Sequence, residues 1–394
     1  MRIADVDGTI IAARVRALGD TFFTKDVSDA PEVKAGHAAF ERSPSYAASV
    51  GLFLAKYHAR LGLRRGAVDT RRGATWHKHA TTTAVEIVRY PRGPQSAADS
   101  PFKARMRAHQ SWYRAEVLRV PFGTGPGPGS TAERGSMLVE ADANRGANFV
   151  SPEVFALAKR RIAEGHGVES FRCLRNMLSS QPMCFNLFGP LALDGDLATS
   201  CMRALFPSEV ARVLEVRIEH APSPRVRYLD DRSAFDAFVV YERIDGTRAF
   251  LGIETKLTET FSAKDPRDPS RYVAHARRSP SIWPRGDDPA LTDPRWYQLW
   301  RDHLLVESLR LDGAAGYAAG RLAVVHHPAD TDCADAIAGY RALLAPGDAS
   351  LVALPIDRLV ATWAAAVERA GDGEWLEKLR VRYLALERSA RAAR

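Results

Sequence analysis

The chain has 394 residues, 46% of them hydrophobic and 26% charged, with a formal net charge of +8 and a pI near 9.4. That length buries a large core and predicts two or three domains or subdomains, and no uncharged apolar run is long enough to span a bilayer. Four scattered cysteines without a C-x-x-C pair (Cys173, Cys184, Cys201, Cys333) argue against a disulfide framework and a structural zinc site. The start lacks a basic segment followed by an apolar run, so a cytoplasmic protein without a signal peptide is expected. The Arg-heavy charge suits a polyanion-binding surface; Arg-rich codon usage accounts for it equally well.

In chain order, the first feature is "DVDGTI" at 5–10, the letters of the nucleophile motif of haloacid dehalogenase-like phosphatases. Only Ile3 and Ala4 lead into Asp5, too little for the central strand that chemistry needs. Asp5 and Asp7 therefore read as turn residues, with a phosphatase as a minor alternative. Residues 1–100 form a basic, mostly helix-compatible region of unassigned role, with an amphipathic helix over 45–63 and a β-branched strand over 80–90. His77 and His79 have no Cys or carboxylate beside them and read as ordinary surface or core residues. A Pro-rich break at 90–101 is the best boundary. Residues 101–149 then read as a helix (102–118) and a Gly/Pro-rich flexible connection (121–136), which lacks the ending of a phosphate-binding loop.

From 150 to 394 the pattern is more regular and predicts one domain. Ser151 and Pro152 open a helix over 151–165, residues 170–193 read as buried, and 195–210 is a short helix broken at Pro207. The period then changes to two. Leu214, Val216 and Ile218 alternate with Glu215, Arg217 and Glu219, and two further strands, 233–244 and 248–259, join through Asp245-Gly246. A helix around 295–310 and a strand over 321–328 follow. An antiparallel meander among helices makes the fold class α/β (α+β).

The meander carries the chemistry. Glu254 and Lys256 are two apart on a strand, so they share a face, and Asp236 on the neighbouring strand can join them. Two carboxylates hold a hard cation such as Mg²⁺, which polarises a phosphate and acidifies a bound water. The ammonium orients that water or stabilises charge developing on the phosphate. An apolar strand containing Lys256 calls for such a partner, because burying an unpaired ammonium is costly. The loop supplies a test. A two-residue turn at Asp245-Gly246 would set Asp236 opposite Thr255, whereas a three-residue loop over 244–246 sets it opposite Glu254. Only the second brings the three together.

The run "SAFDAFVVYERIDGTRAFLGIETK" resembles the core of the PD-(D/E)xK nuclease superfamily, with Asp236 as the motif acid, Glu254-x-Lys256 as its ExK, and Phe235 in place of the nominal proline. A wider stretch, roughly 105–330, is similar to a family of bacterial nuclease-like proteins. The resemblance implies a restriction-endonuclease-like core, a mixed sheet with an antiparallel meander flanked by helices, preceded by a helical N-terminal region. It implies a metal-dependent nuclease fold but not a substrate; the leading expectation is a Mg²⁺-dependent (endo)nuclease, with Mn²⁺ as a substitute, acting on nucleic acid and DNA above all. Restriction, anti-phage defence or repair follow by analogy, and a homodimer is compatible with it. Asp236, Glu254 and the Thr255 backbone carbonyl would hold metal, and Lys256 would assist the water. Glu219 and Gln181 are auxiliary candidates, each with a purely structural alternative, and Gln298 and Arg301 share a helix face from which they could reach a phosphate. Glu259 reads as a salt-bridged strand end. The alternative is a catalytically inactive nucleic-acid-binding protein, against which the intact triplet argues.

Overall fold

The computed structural model describes residues 6–38, 46–61, 63–78, 90–165, 167–262, 269–367 and 370–391. The chain divides into two compact units, residues 1–88 and 89–394. In the first, the expected helices are joined by a three-stranded antiparallel sheet of β1 (Thr21–Phe23), β2 (Leu63–Asp69) and β3 (Gly73–Lys78), in the order β1-β3-β2. Ile11, Val15, Phe22, Val50, Leu54 and Trp76 form its core. Asp7 caps the helix Gly8–Ala17, accepting from the Thr9 and Ile10 backbone N–H groups. The expected helix over 45–63 runs Tyr46–Tyr57 and gives way to β2. Asp5, His79 and the strand expected over 80–90, up to residue 89, lie outside the described residues.

In the second unit, the segment expected to be a flexible connection is ordered. Phe122–Thr124 (β4) and Glu133–Leu138 (β5) pair as an antiparallel hairpin, with one glycine in each strand (Gly123, Gly135) and the others, with the prolines at 126 and 128, in its turn. Ser136, Met137 and Leu138 are buried. The fully buried Arg114 guanidinium holds the hairpin and the Pro-rich segment together, donating to the carbonyls of Gly135, Val120, Pro91 and Arg92. Residues 101–149 are thus packed structure within this unit and not a linker.

The main sheet has five strands in the order β10-β9-β8-β7-β6: Val210–His220 (β6), Phe235–Arg243 (β7), Arg248–Lys256 (β8), Ala319–His326 (β9) and Leu351–Pro355 (β10). The first three are the expected antiparallel meander; β9 and β10 add in parallel. Both faces are covered, which is why β7 and β8 read as nearly continuous apolar runs. Ala237, Val239, Leu251 and Ile253 meet helices including Ser180–Leu193 and Gly195–Leu205. Phe238, Val240 and Phe250 meet helices including Tyr297–Leu311 and Thr331–Arg341.

One detail of β6 differs from its expected alternation. One-residue register shifts follow Val210 and Val213, so Leu214 is the extra residue of a bulge and is 39% exposed, while Val213, Val216 and Ile218 face the core. No helix among the described residues is long and apolar enough to cross a membrane.

Candidate active site

The β7–β8 hairpin takes the three-residue form. Arg243 N–H donates to the Thr247 carbonyl at 2.8 Å, Glu242 faces Arg248, and Gly246 is left-handed at φ 81°. The same register, from Ala237 opposite Ile253, sets Asp236 opposite Glu254. At the open end of this ladder Asp236 Oδ2 accepts from Thr255 N at 2.7 Å and Thr255 Oγ1 at 2.6 Å. Phe235 beside it stacks on Phe238 (centroids 5.6 Å apart).

Glu254 and Lys256 leave β8 together and are each 6% exposed. Lys256 Nζ lies 2.8 Å from Glu254 Oε1. Gln298, in the first turn of the helix Tyr297–Leu311, ties the pair: its Nε2 donates to Glu254 Oε1 (2.7 Å), and its Oε1 accepts from Lys256 Nζ (3.0 Å) and Ser262 N (2.9 Å). Arg301, expected on the same face as Gln298, diverges from it and turns to Asp231 at 3.9 Å. Three residues along a helix advance 300°, which leaves enough angle for one side chain to face the site and the other to leave it.

Gln181 and Glu219 form a second pair. Gln181 Nε2 donates to Glu219 Oε1 (3.2 Å) and to the Gly167 carbonyl (3.1 Å). Gln181 lines the same cleft as Asp236, whereas Glu219 lines a separate cavity of about 360 Å³. Glu219 is 8% exposed and sits at φ 54°, a left-handed conformation that is uncommon for a residue with a Cβ. Glu259 binds Arg172 (3.2 Å) and the Ser180 N–H (2.8 Å), at the start of the helix Ser180–Leu193.

The charges act on one another. Burial, then the nearby Glu254 and Glu219, pushes the Asp236 carboxyl well above the usual carboxylate range, against the two Thr255 hydrogen bonds. Burial raises Glu219 to about 7, opposed by the Gln181 bond. Burial pulls the Lys256 ammonium down, but Glu254, with Asp236 and Glu259 behind it, outweighs burial and the net shift is upward. Asp302 was missed in the sequence. It lies one turn beyond Gln298, is 2% exposed, and is pushed well above the carboxylate range by burial and by Glu254. Its four-residue spacing from Gln298 was the available signal.

Asp236, Glu254, Lys256 and Gln298 open onto a cleft of about 1220 Å³. Among the described residues, six carboxylates line it (Asp236, Glu254, Glu259, Asp330, Asp332, Asp335) against four cations (Lys103, Arg172, Lys256, Arg295). A paired Asp and Glu on adjacent strands, with a lysine two residues beyond the Glu, make a hydrolytic arrangement for a phosphate ester. A sequence model described as the PD-(D/E)XK nuclease superfamily matches residues 97–385. The chain belongs to that superfamily. No curated protein and no solved structure matches it significantly.

The five-stranded mixed sheet with its antiparallel meander is the restriction-endonuclease-like PD-(D/E)XK fold. Membership supports a nuclease and a nucleic-acid substrate, and PD-(D/E)XK nucleases generally use divalent metal ions. Among the described residues no group of three or more His, Cys, Asp or Glu side chains clusters as a metal cage. An oxygen-seeking cation here would take Asp236 and Glu254, with a backbone carbonyl and water completing its shell, as Mg²⁺ commonly does. The excess of carboxylates over cations in the cleft fits that charge.

Proposed function

We infer that the chain hydrolyses phosphodiester bonds of DNA in a reaction that requires a divalent cation, Mg²⁺ with Mn²⁺ as a substitute. The observation that carries this reading is the convergence of Asp236, Glu254 and Lys256 on one cleft, at the register set by the three-residue hairpin loop. Asp236, Glu254 and the Thr255 carbonyl would hold the cation, which supplies Lewis acidity and a more acidic bound water when present. The protein's own part is orientation. Lys256, fixed between Glu254 and Gln298, presents its ammonium to the attacking water and to the charge growing on phosphate oxygens. Gln181 and Glu219 stand behind as an auxiliary pair that keeps a further carboxylate close to Asp236.

An inactive DNA-binding role is the second reading, and the retention of all three reactive side chains in one cleft weighs against it. Supercoiled plasmid incubated with the protein in Mg²⁺, Mn²⁺ or EDTA decides between them. Nicked or linear product in either metal and none in EDTA is expected. Binding without cleavage across plasmid, linear and single-stranded DNA would overturn the reading in favour of the second.

A further inference from the structure

Half of the net charge of +8 falls in the first 88 residues, where thirteen Lys and Arg stand against nine Asp and Glu. Seven of those cations lie between residues 56 and 78, against the single acid Asp69. Five of the seven (Arg64, Arg65, Arg71, Arg72 and Lys78) lie on the β2–β3 hairpin. β2 is an edge strand, and beyond Leu63 neither of its faces is covered: Arg64 and Arg65 point to opposite sides and both are exposed. A one-residue register shift between Arg65 and Val68 adds local twist, and Val68 is 63% exposed near the tip.

The tip is held rigidly. Asp69 Oδ1 accepts from the Arg71 and Arg72 backbone N–H groups at 2.8 and 2.7 Å, so the one carboxylate is spent on the turn. Arg72 lies over the Phe23 ring (3.8 Å) and pairs with Asp26, and Lys78 donates to the Leu18 carbonyl. Arg64, Arg65 and Arg71 have no carboxylate partner among the described residues. The exposed edge strand β2 and the turn after it, with three guanidiniums that have no carboxylate partner among the described residues, form a cationic rim that suits the phosphates of a duplex, which take arginine bidentately.

We propose that the β2–β3 hairpin is a second nucleic-acid contact, gripping the phosphate backbone of duplex DNA through Arg64, Arg65 and Arg71. It supplies affinity without sequence information and without touching the catalytic cleft's chemistry. The turn fixed by Asp69 sets the backbone from which Arg71 projects, so no backbone ordering is needed there on binding. From the nuclease reading it takes only the class of partner, and it is tested where no cleavage occurs.

The test is fluorescence anisotropy of a labelled 30-base-pair DNA duplex with the full chain in EDTA, over a series of salt concentrations. For R64A/R65A/R71A the expected result is at least about tenfold weaker binding, with a salt slope smaller by roughly 2 to 3, near 0.9 per lost phosphate contact. R64K/R65K/R71K keeps the charges and is expected to keep most of the slope. An alanine variant with wild-type affinity and slope, or a lysine variant as weak as the alanine one, overturns the proposal. So does a wild-type chain that does not bind the duplex. If the wild type binds as expected but cuts nothing in Mg²⁺ or Mn²⁺, the nuclease reading fails while the contact stands.

Discussion

At the scale of single residues, the site is a problem in keeping like charges close. Glu254 and Glu219 add to burial in raising the proton affinity of Asp236, and Glu254 does the same to Glu219, while the Thr255 hydrogen bonds to Asp236 and the Gln181 amide, Arg161 and Arg172 around Glu219 work against them. Glu219 has the shift with the clearest consequence. Its folded pKa of about 7 lies above its ordinary value of 4.5. The folded state therefore holds its proton more tightly, and the associated stability is fully present below the unfolded pKa. It is lost as pH rises from about 4.5 through 7. Glu219→Gln removes that loss while keeping an acceptor for Gln181. The variant is expected to match the wild type in thermal stability near pH 4 and to exceed it at pH 7.5 without added metal, by an amount on the order of 1 to 3 kcal/mol. Melting curves across that range check it; a difference independent of pH would contradict the assignment.

At the scale of elements, what was legible depended on which interactions set the local pattern. The hairpin joining β7 to β8 was readable because its geometry is local: a left-handed glycine and an Asp at the turn choose the loop, and the loop chooses the register. Leu214 was misplaced because a bulge is set by pairing across strands, which β6 alone does not reveal. The β4–β5 hairpin was hidden for a different reason. Its turn is so rich in Gly and Pro that the short flanking strands look like more loop, and their anchor, Arg114, arrives from a helix. Burial lowers the Arg114 guanidinium to about 10 yet leaves it charged at neutral pH. Arg114→Ala strands four carbonyl partners and is expected to cost roughly 3 to 5 kcal/mol. Denaturant unfolding reads that loss, and a change under about 1 kcal/mol would show that the hairpin does not depend on this anchor.

At the scale of the whole molecule, composition and site carry opposite signs. The chain is basic, yet the cleft lining among the described residues has more carboxylates than cations. Net charge read from the sequence describes the affinity of the surface for a polyanion; it says nothing of the charge balance inside one cleft. The class of fold and the triplet Asp236, Glu254 and Lys256 were visible because strand period and two-residue spacing are properties of one segment. Gln298 was foreseen only as a candidate phosphate contact, its clamp on Lys256 depends on a helix packing across the sheet, and Asp302 was not foreseen.

The central claim is that Lys256, held by Glu254 and Gln298, drives phosphodiester hydrolysis in this cleft. Single-turnover cleavage of plasmid DNA by the wild type and by Lys256→Ala, each saturated with Mg²⁺ and DNA, tests it most directly. The account predicts a rate lower by about 10² to 10³ in the variant with binding of DNA in EDTA retained. Cleavage at the wild-type rate by Lys256→Ala would contradict it.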